Sequence, residues 1–382
     1  MAHATDEATG LIHHPSGNLG GLAPGFDPSV TFPADEKGCD QEYIYGRTCH
    51  PTGDACAEAL ASLEGAEWCL LTNSGMAAIS TVLLALLRSG DHVIAPNVMY
   101  QPTRCLLGKL LTNLGVSVSF VDARDPEAYF RALTPATRVA WLETPANPTL
   151  DLTDIAAVCG WAKANGVLTV ADNTFSTPLG SRPISFGCDV VVHSATKYLA
   201  GHGDLLAGAI LTSRALKSRI LPWLDHLGSA LHAHGAWLLR RGLSTFHLRY
   251  RRHQENALAV ALDLQNVASV RSVLYPGLPG FPQRELFERQ MQGAGGVLSF
   301  VLEGGEEQAR NFLPNLRLCA IARSLGEPCT LIAHPWSMHY NALSDEEKQA
   351  AGIDPGLIRV AVGLEEPFHI VEDLASAISR SR

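Results

Sequence analysis

Val190-Val-Val-His-Ser-Ala-Thr-Lys197-Tyr-Leu-Ala-Gly-His-Gly-Asp204 decides how this chain is read. A buried strand runs straight into Ser194, Thr196 and Lys197 and then into a glycine-bearing loop. Desolvation lowers the pKa of a lysine placed there, which frees a neutral amine to condense with a carbonyl. Hydroxyls at Ser194 and Thr196 are suited to a phosphate beside it. An isolated lysine at a strand end would read as a surface residue. A second element, Val170-Ala-Asp172-Asn-Thr174-Phe-Ser-Thr-Pro178, shifts that balance, because Asp172 ends another apolar strand 25 positions before Lys197.

Adjacent parallel strands bring their carboxyl ends to one sheet edge, so Asp172 and Lys197 face one pocket. Pyridoxal phosphate requires this pair: a lysine for its aldehyde and a carboxylate that keeps its pyridine nitrogen protonated. The surrounding text agrees. From Ala55 to about Leu243, helical runs alternate with short β-branched runs, the pattern of a parallel α/β sheet. Strands are expected at His92–Ala95, Val116–Asp122, Arg138–Glu143, Val167–Asp172, Asp189–His193 and Ala207–Thr212. Helices are expected at Met76–Arg88 and Asp154–Ala164, with a helical region over Leu238–Ala261. Beyond it, strands at Val267–Val273, Val297–Leu302 and Leu357–Gly363, with helices at Glu306–Phe312 and Pro367–Ser379, predict a smaller α+β unit. The expected division is an N-terminal arm over 1–54, a large domain over 55–245 and a C-terminal domain over 246–382.

Composition narrows the function. The 382 residues are 46% hydrophobic and 18% charged, enough for two or three domains at roughly 100–200 residues each. Lys plus Arg number 29 against 38 Asp plus Glu, a formal charge of -9 without a basic track, which argues against nucleic acid or an anionic membrane as partner. Apolar stretches are broken well short of the roughly 20 residues that span a bilayer. The opening MAHATDEATGLIHHPSG lacks the basic start and apolar run of a secretory signal, so a cytoplasmic enzyme is expected. Nine cysteines without a C-x-x-C pair read as free thiols, and Cys105 as a buried small hydrophobe. His13-His14 and His232-Ala-His234 lack a third ligand at metal-site spacing, so no metal is expected.

Further motifs carry a resemblance. Tyr43-Ile-Tyr45-Gly-Arg47 with Pro51-Thr52, Ser74-Gly75-Met76-Ala-Ala, Tyr100-Gln-Pro-Thr-Arg104, Glu143-Thr-Pro-Ala-Asn147-Pro-Thr, Ala322-Arg-Ser324-Leu325-Gly326 and Leu357-Ile-Arg359-Val-Ala-Val-Gly363 join the two stretches above. Together they resemble the pyridoxal-phosphate-dependent family of cysteine and methionine metabolism. That family includes cystathionine β- and γ-lyases, cystathionine γ-synthase, methionine γ-lyase and O-acylhomoserine sulfhydrylases. The resemblance implies a fold-type-I architecture: a large domain with a mostly parallel seven-stranded sheet, a smaller α+β C-terminal domain and an extended N-terminal arm. It also implies a homotetramer whose active sites are shared across a dimer interface.

Residue by residue, the resemblance implies that Lys197 binds the cofactor covalently and acts as base, with Asp172 on the ring nitrogen. Ser194, Thr196, Gly75 and Met76 would hold the phosphate, with Tyr45 and Arg47 reaching in from a neighbouring subunit. Tyr100 would stack on the ring and move protons, helped by Tyr45. Asn147 and Thr174 complete the cofactor set; Arg359, Ser324, Leu325 and Asn147 would meet the substrate. A guanidinium inside an otherwise apolar strand is expensive unless it meets an anion, which independently favours Arg359 as a carboxylate site.

Departures from the family pattern are Gly46 for Ser, His50 for Asn, Ala146 for Ser, and Cys329 where lyases and synthases carry a substrate-selecting acid. The implied activity is C–S bond cleavage in cystathionine, methionine or homocysteine. A γ-replacement enzyme is the alternative, and a non-catalytic cofactor-binding protein a remote one.

Overall fold

In the computed structural model, residues 9, 11–12, 23–34, 42–341 and 343–382 are described; Cys39 and His13-His14 lie outside them. The β-branched runs form a seven-stranded sheet of β1 (Trp68–Thr72), β2 (His92–Pro96), β3 (Ser117–Val121), β4 (Thr137–Glu143), β5 (Leu168–Asp172), β6 (Val190–His193) and β7 (Gly208–Thr212). Their order is β1-β7-β6-β5-β4-β2-β3. Pairing is parallel from β3 through β6, while β7 runs antiparallel to both β6 and β1. The six expected strands are therefore present within a residue or two. β1, which was not anticipated, supplies the outer antiparallel edge.

Successive side chains of a strand point to opposite faces, and this sheet is apolar on both. Val190 and Val192 join a core with Val82 and Leu83 of the helix Gly75–Leu86, whereas Val191 joins Cys56 and Leu60 of the helix Pro51–Glu64. Such double-sided burial is what parallel sheets need. It also leaves the carboxyl ends of the strands as the place where polar side chains emerge.

The second sheet has five strands in the order β10 (Ala320–Ile321), β11 (Leu331–Ala333), β12 (Leu357–Ala361), β9 (Val297–Leu302) and β8 (Val270–Leu274). Leu298, Phe300, Ile358 and Val360 pack one face against Val260 and Leu264 of the helix Phe246–Leu264 and against Ile370 and Leu374 of the helix Pro367–Arg380. The alternate residues Ser299 and Arg359 face the large sheet instead: Ser299 Oγ donates to Pro148 O at 2.8 Å, and Arg359 Nη1 donates to Asn147 Oδ1 at 3.3 Å. The cleft between the sheets is thus set by which face of β9 and β12 carries polar residues.

Two expectations are corrected. The helical region over Leu238–Ala261 is two helices, Ala233–Leu243 and Phe246–Leu264. Arg249 accounts for the break, since its guanidinium donates to Gly242 O at 2.7 Å, satisfying a carbonyl at the end of the first helix, and to Tyr198 O at 2.8 Å beyond β6. In the arm, Pro51 already begins a helix capped by His50, whose Nδ1 accepts from Gly53 N at 2.9 Å while Nε2 meets Leu231 O at 3.0 Å. The described part of the arm packs on its own chain: Trp237 Nε1 donates to Pro24 O at 3.1 Å, and the Trp237 and Phe26 ring centroids are 6.2 Å apart. Among the described residues, no helix is long and apolar enough to cross a membrane, and the eight cysteines are unpaired.

Candidate active site

At the carboxyl ends of β5 and β6, a cavity of about 210 Å³ opens between the two sheets. Its walls bring together Gly75, Met76, Tyr100, Asn147, Asp172, Thr174, Ser194, Thr196, Lys197, Leu325 and Arg359. β5 and β6 pair in parallel with Asp172 opposite Val192, so Asp172 and the loop carrying Lys197 emerge at one edge. Asp172 is 9% exposed. Its Oδ1 accepts from Thr174 N at 3.0 Å and from Thr174 Oγ1 at 2.6 Å. Burial raises its pKa despite those bonds, and a protonated ring nitrogen would relieve that strain on the charged form. Thr174 Oγ1 also accepts from Ser194 N at 2.8 Å, which ties the two strand ends together.

Lys197 Nζ donates to Ser324 Oγ at 2.8 Å. Its pKa is lowered, first by burial and then by the charge on Arg359, with Glu327 opposing. Both lowering effects favour the neutral amine that carbonyl condensation needs. On the same side, the helix Gly75–Leu86 starts at Ser74, whose Oγ accepts from Ala77 N at 3.1 Å. A Cβ on Gly75 would lie 2.7 Å from Ser194 Cβ, so only glycine permits this approach of the helix start to β6. The first-turn N–H groups of Gly75 and Met76 have no carbonyl to bond within the helix. With the Ser194 hydroxyl they form a donor set that fits a phosphate. Thr196 Oγ1 donates to Ala207 O at 3.1 Å, a bond it must exchange before it can donate to an anion.

Arg359 forms the opposite wall at 1% exposure. Its Nη2 donates to Ser324 O at 2.9 Å and Arg323 O at 3.2 Å, and its Nε is buried without a partner. No carboxylate lies within 4 Å of it among the described residues, and burial pushes its pKa down to about 10. A guanidinium held by neutral carbonyls is prepared for an incoming anion. Tyr100, 38% exposed, projects between the walls. Its backbone N–H donates to Glu143 Oε2 at 2.8 Å, and Asn147 N donates to Glu143 Oε1 at 3.2 Å. Burial, and then Asp172, push the Glu143 carboxyl up to about 8. Burial, Asp172 and Glu143 raise the pKa of Tyr100, so its phenol keeps its proton.

Ser324 faces the cavity through Lys197, and Tyr45 and Arg47 do not line it. Tyr45 is 44% exposed and Arg47 is turned to Asp225 O at 2.8 Å, with its guanidinium 5.6 Å from the Tyr45 ring. Cys105 is half-buried rather than buried, and Cys329 is exposed and off the cavity wall. Among the described residues no His/Cys/Asp/Glu cluster suits a metal, and His232 instead caps a helix by accepting from Gly235 N at 3.0 Å. Four lining residues were quoted in the motifs without being assigned as site residues: Ser74, Glu143, Phe175 and Arg323. Ile79 and Leu206 join them, and nothing in their local sequence marks them out.

Comparison with known proteins gives concordant matches. Residues 19–379 match the family model described as Cys/Met metabolism PLP-dependent enzyme. The L-methionine gamma-lyase of Pseudomonas putida is 41% identical over 98% of this chain and 97% of its own. The cystathionine beta-lyase of Bacillus subtilis is 38% identical over 97% and 95%. The cystathionine gamma synthase of Xanthomonas oryzae pv. oryzae, solved in complex with cystathionine, superposes with a TM-score of 0.95 at 38% identity, covering 99% of this chain and 98% of that one.

Proposed function

The chain belongs to the Cys/Met metabolism PLP-dependent enzymes, and on that premise we propose that it cleaves C–S bonds of sulfur amino acids by β- or γ-elimination, releasing a thiol, ammonia and a keto acid. The observation that carries this reading is Lys197 Nζ, desolvated and 2.8 Å from Ser324 Oγ, in a cavity lined by Asp172 on one side and Arg359 on the other. Pyridoxal 5'-phosphate, held by Lys197, Asp172, the Gly75–Met76 helix start and Ser194, supplies a conjugated ring that accepts the electron pair of a broken Cα–H bond.

The protein's own groups do the rest. Arg359 takes the α-carboxylate by charge-assisted hydrogen bonds, which fixes how the substrate sits relative to Lys197. Lys197 Nζ, whose lowered pKa favours the uncharged amine, removes the Cα proton. Asp172 retains a counter-charge for the ring nitrogen, with Thr174 aiming it. Tyr100 keeps its phenolic proton because two acids and burial oppose its loss, so it is the group able to protonate a departing sulfur. Tyr45 and Arg47, exposed and outside the cavity of their own chain, are free to complete the site of a neighbouring copy. This supports a homodimer as the minimal unit and a homotetramer as the expected one. Unpaired cysteines support a reducing, cytoplasmic setting.

Purified protein offered L-cystathionine, L-methionine and L-homocysteine tests the reading. Pyruvate from cystathionine identifies β-elimination and 2-oxobutanoate identifies γ-elimination. A γ-replacement enzyme is the second reading, favoured by the close structural likeness to a cystathionine gamma synthase. Homocysteine formed from an O-acylhomoserine and sulfide, with no keto acid, would select it. Protein that shows no visible cofactor band after addition of pyridoxal phosphate would overturn both.

A further inference from the structure

Beneath the two strand ends that carry Asp172 and Lys197 lies a buried polar cluster that the proposed chemistry does not use. Glu64, Asn173 and His193 are each 1% exposed, and none of them lines the cavity. Glu64 is the last residue of the helix Pro51–Glu64. Its Oε2 lies 2.8 Å from His193 Nε2. Asn173 Nδ2 donates to Glu64 Oε1 at 3.3 Å and to Ser181 O at 2.8 Å. His193 Nδ1 is buried without a hydrogen-bond partner. A carboxyl group and a partnerless ring nitrogen are destabilising inside a core of Leu60, Leu71, Ala171 and Val191, and apolar side chains of the same volume would fill that core as well. What apolar side chains cannot supply is direction.

Direction matters here because of what flanks the cluster. Asn173 follows Asp172, and His193 precedes Ser194, with Lys197 in the turn beyond. The pairing of β5 with β6 reaches Asp172 opposite Val192 and is followed by a bond from Asn173 N to Val192 O at 3.0 Å. Past that point side chains tie the strands together on both faces. On the cavity face, Thr174 Oγ1 accepts from Ser194 N at 2.8 Å. On the face covered by the helix Pro51–Glu64, one carboxyl group holds Asn173 of the first strand end and His193 of the second. The cluster also acts on Asp172 through space: burial raises the Asp172 pKa, and the Thr174 bonds and then the charge of His193 oppose that rise.

We propose that Glu64 is a positioning residue: by clamping Asn173 to His193, it holds the Asp172 carboxylate where it meets the ring nitrogen of the cofactor. This rests on the assignment of Asp172 to that nitrogen and deepens it, since Thr174 steadies Asp172 from the cavity face alone.

The test pairs pyridoxal 5'-phosphate with its 1-deaza analogue, which keeps the aldehyde and the phosphate and carries C–H in place of the ring nitrogen. Equilibrium dialysis on the cofactor-free, full-length chain gives a Kd for each, so the readout does not depend on turnover. Wild type is expected to favour pyridoxal phosphate by at least about tenfold, as one charge-assisted hydrogen bond provides. Glu64→Met keeps the length of the side chain and removes both bonds, and should bring that ratio to within about threefold. Glu64→Gln, which can still hydrogen-bond, should retain part of the preference. Asn173→Ala opens one arm of the clamp and leaves the Glu64–His193 contact, so it should lower the ratio by at least about twofold and carries the test where Glu64→Met does not fold. A ratio that is large in wild type and unchanged in the variants, with both Kd values raised by the same factor, overturns the proposal and leaves the cluster a support of the fold. Equal affinities in wild type overturn the assignment of Asp172 to the ring nitrogen, and the clamp falls with it.

Discussion

The wall built from the large sheet buries two acids, Asp172 and Glu143, whereas the wall built from the small sheet buries one guanidinium, Arg359, and exposes a second, Arg323. Each charge is held by neutral partners: Thr174 and backbone N–H groups for the acids, and for Arg359 backbone carbonyls of its own wall together with Asn147 from the opposite one. The acids are accordingly pushed up in pKa and Arg359 is pushed down. A cleft that paired these charges internally would be more comfortable and would bind nothing. Keeping them apart leaves one wall short of a cation and the other short of an anion, which matches a pyridinium on one side and a carboxylate on the other.

Lys197 stands between the walls, and removing it should have the largest effect. Lys197→Ala deletes both the covalent anchor and the base, so turnover should drop by at least about 10⁴-fold, with loss of the visible band of lysine-bound cofactor. Residual activity within tenfold of wild type would show that the large-sheet wall does not house the chemistry. Next comes the opposite wall. Arg359→Gln gives up the charge-assisted bonds to the α-carboxylate, each about 1.5–3 kcal/mol, so kcat/KM should fall roughly 10²- to 10⁴-fold. The cofactor band should persist, since Arg359 bonds none of Lys197, Asp172, Ser194 and the Gly75–Met76 helix start. A variant that loses the cofactor instead would erase the distinction between the walls.

The large-sheet wall was legible in the sequence because local rules dictate it. An apolar strand ending in an acid or a lysine, 25 positions apart, places both on one edge wherever the strands pair in parallel. Arg359 was legible as a charge inside an apolar strand. The remainder of the small-sheet wall was not. β10 and β11 are two and three residues long, and their positions come from pairing with each other and with β12 rather than from any periodicity. Arg323 could be quoted within a motif, but its placement depends on a bond to Arg359, 36 residues away. β1 escaped notice because a five-residue apolar run between two helices carries no period that separates strand from helix. The break after Leu243 depends on Arg249 reaching Gly242 and Tyr198, a tertiary contact added to a helical text.

The acid side of the comparison can be sharpened by titration. The Glu143 carboxyl is raised from an ordinary 4.5 to about 8. Between those values, the folded protein holds a proton that the unfolded chain releases. Stability should therefore fall as pH rises through this window, by at most about tenfold in the folding equilibrium per pH unit. Asp172, also raised, contributes with the same sign. In Glu143→Gln the Asp172 share remains and the Glu143 share disappears, so the urea midpoint of cofactor-free protein should decline less steeply between pH 5 and 8 than in wild type. Parallel profiles would mean that Glu143 is ionised in the fold and that the large-sheet wall carries a full negative charge.

The smallest effect on folding is expected at Arg47, which belongs to neither wall of its own cavity. Its guanidinium bonds Asp225 O and lies 3.4 Å from Asp225 Oδ1, with the two side chains 51% and 33% exposed. An ion pair that wet contributes about 0–1 kcal/mol. Arg47→Gln should therefore shift the unfolding free energy by less than about 1 kcal/mol. If Arg47 instead completes the phosphate site of a neighbouring copy, the same variant should weaken pyridoxal phosphate binding several-fold in the assembled protein, measured by equilibrium dialysis. A change in stability without a change in cofactor affinity would confine Arg47 to its own chain and leave the large-sheet wall to hold the phosphate unaided. The opposite result makes the cofactor wall a product of two chains and the Arg359 wall a product of one.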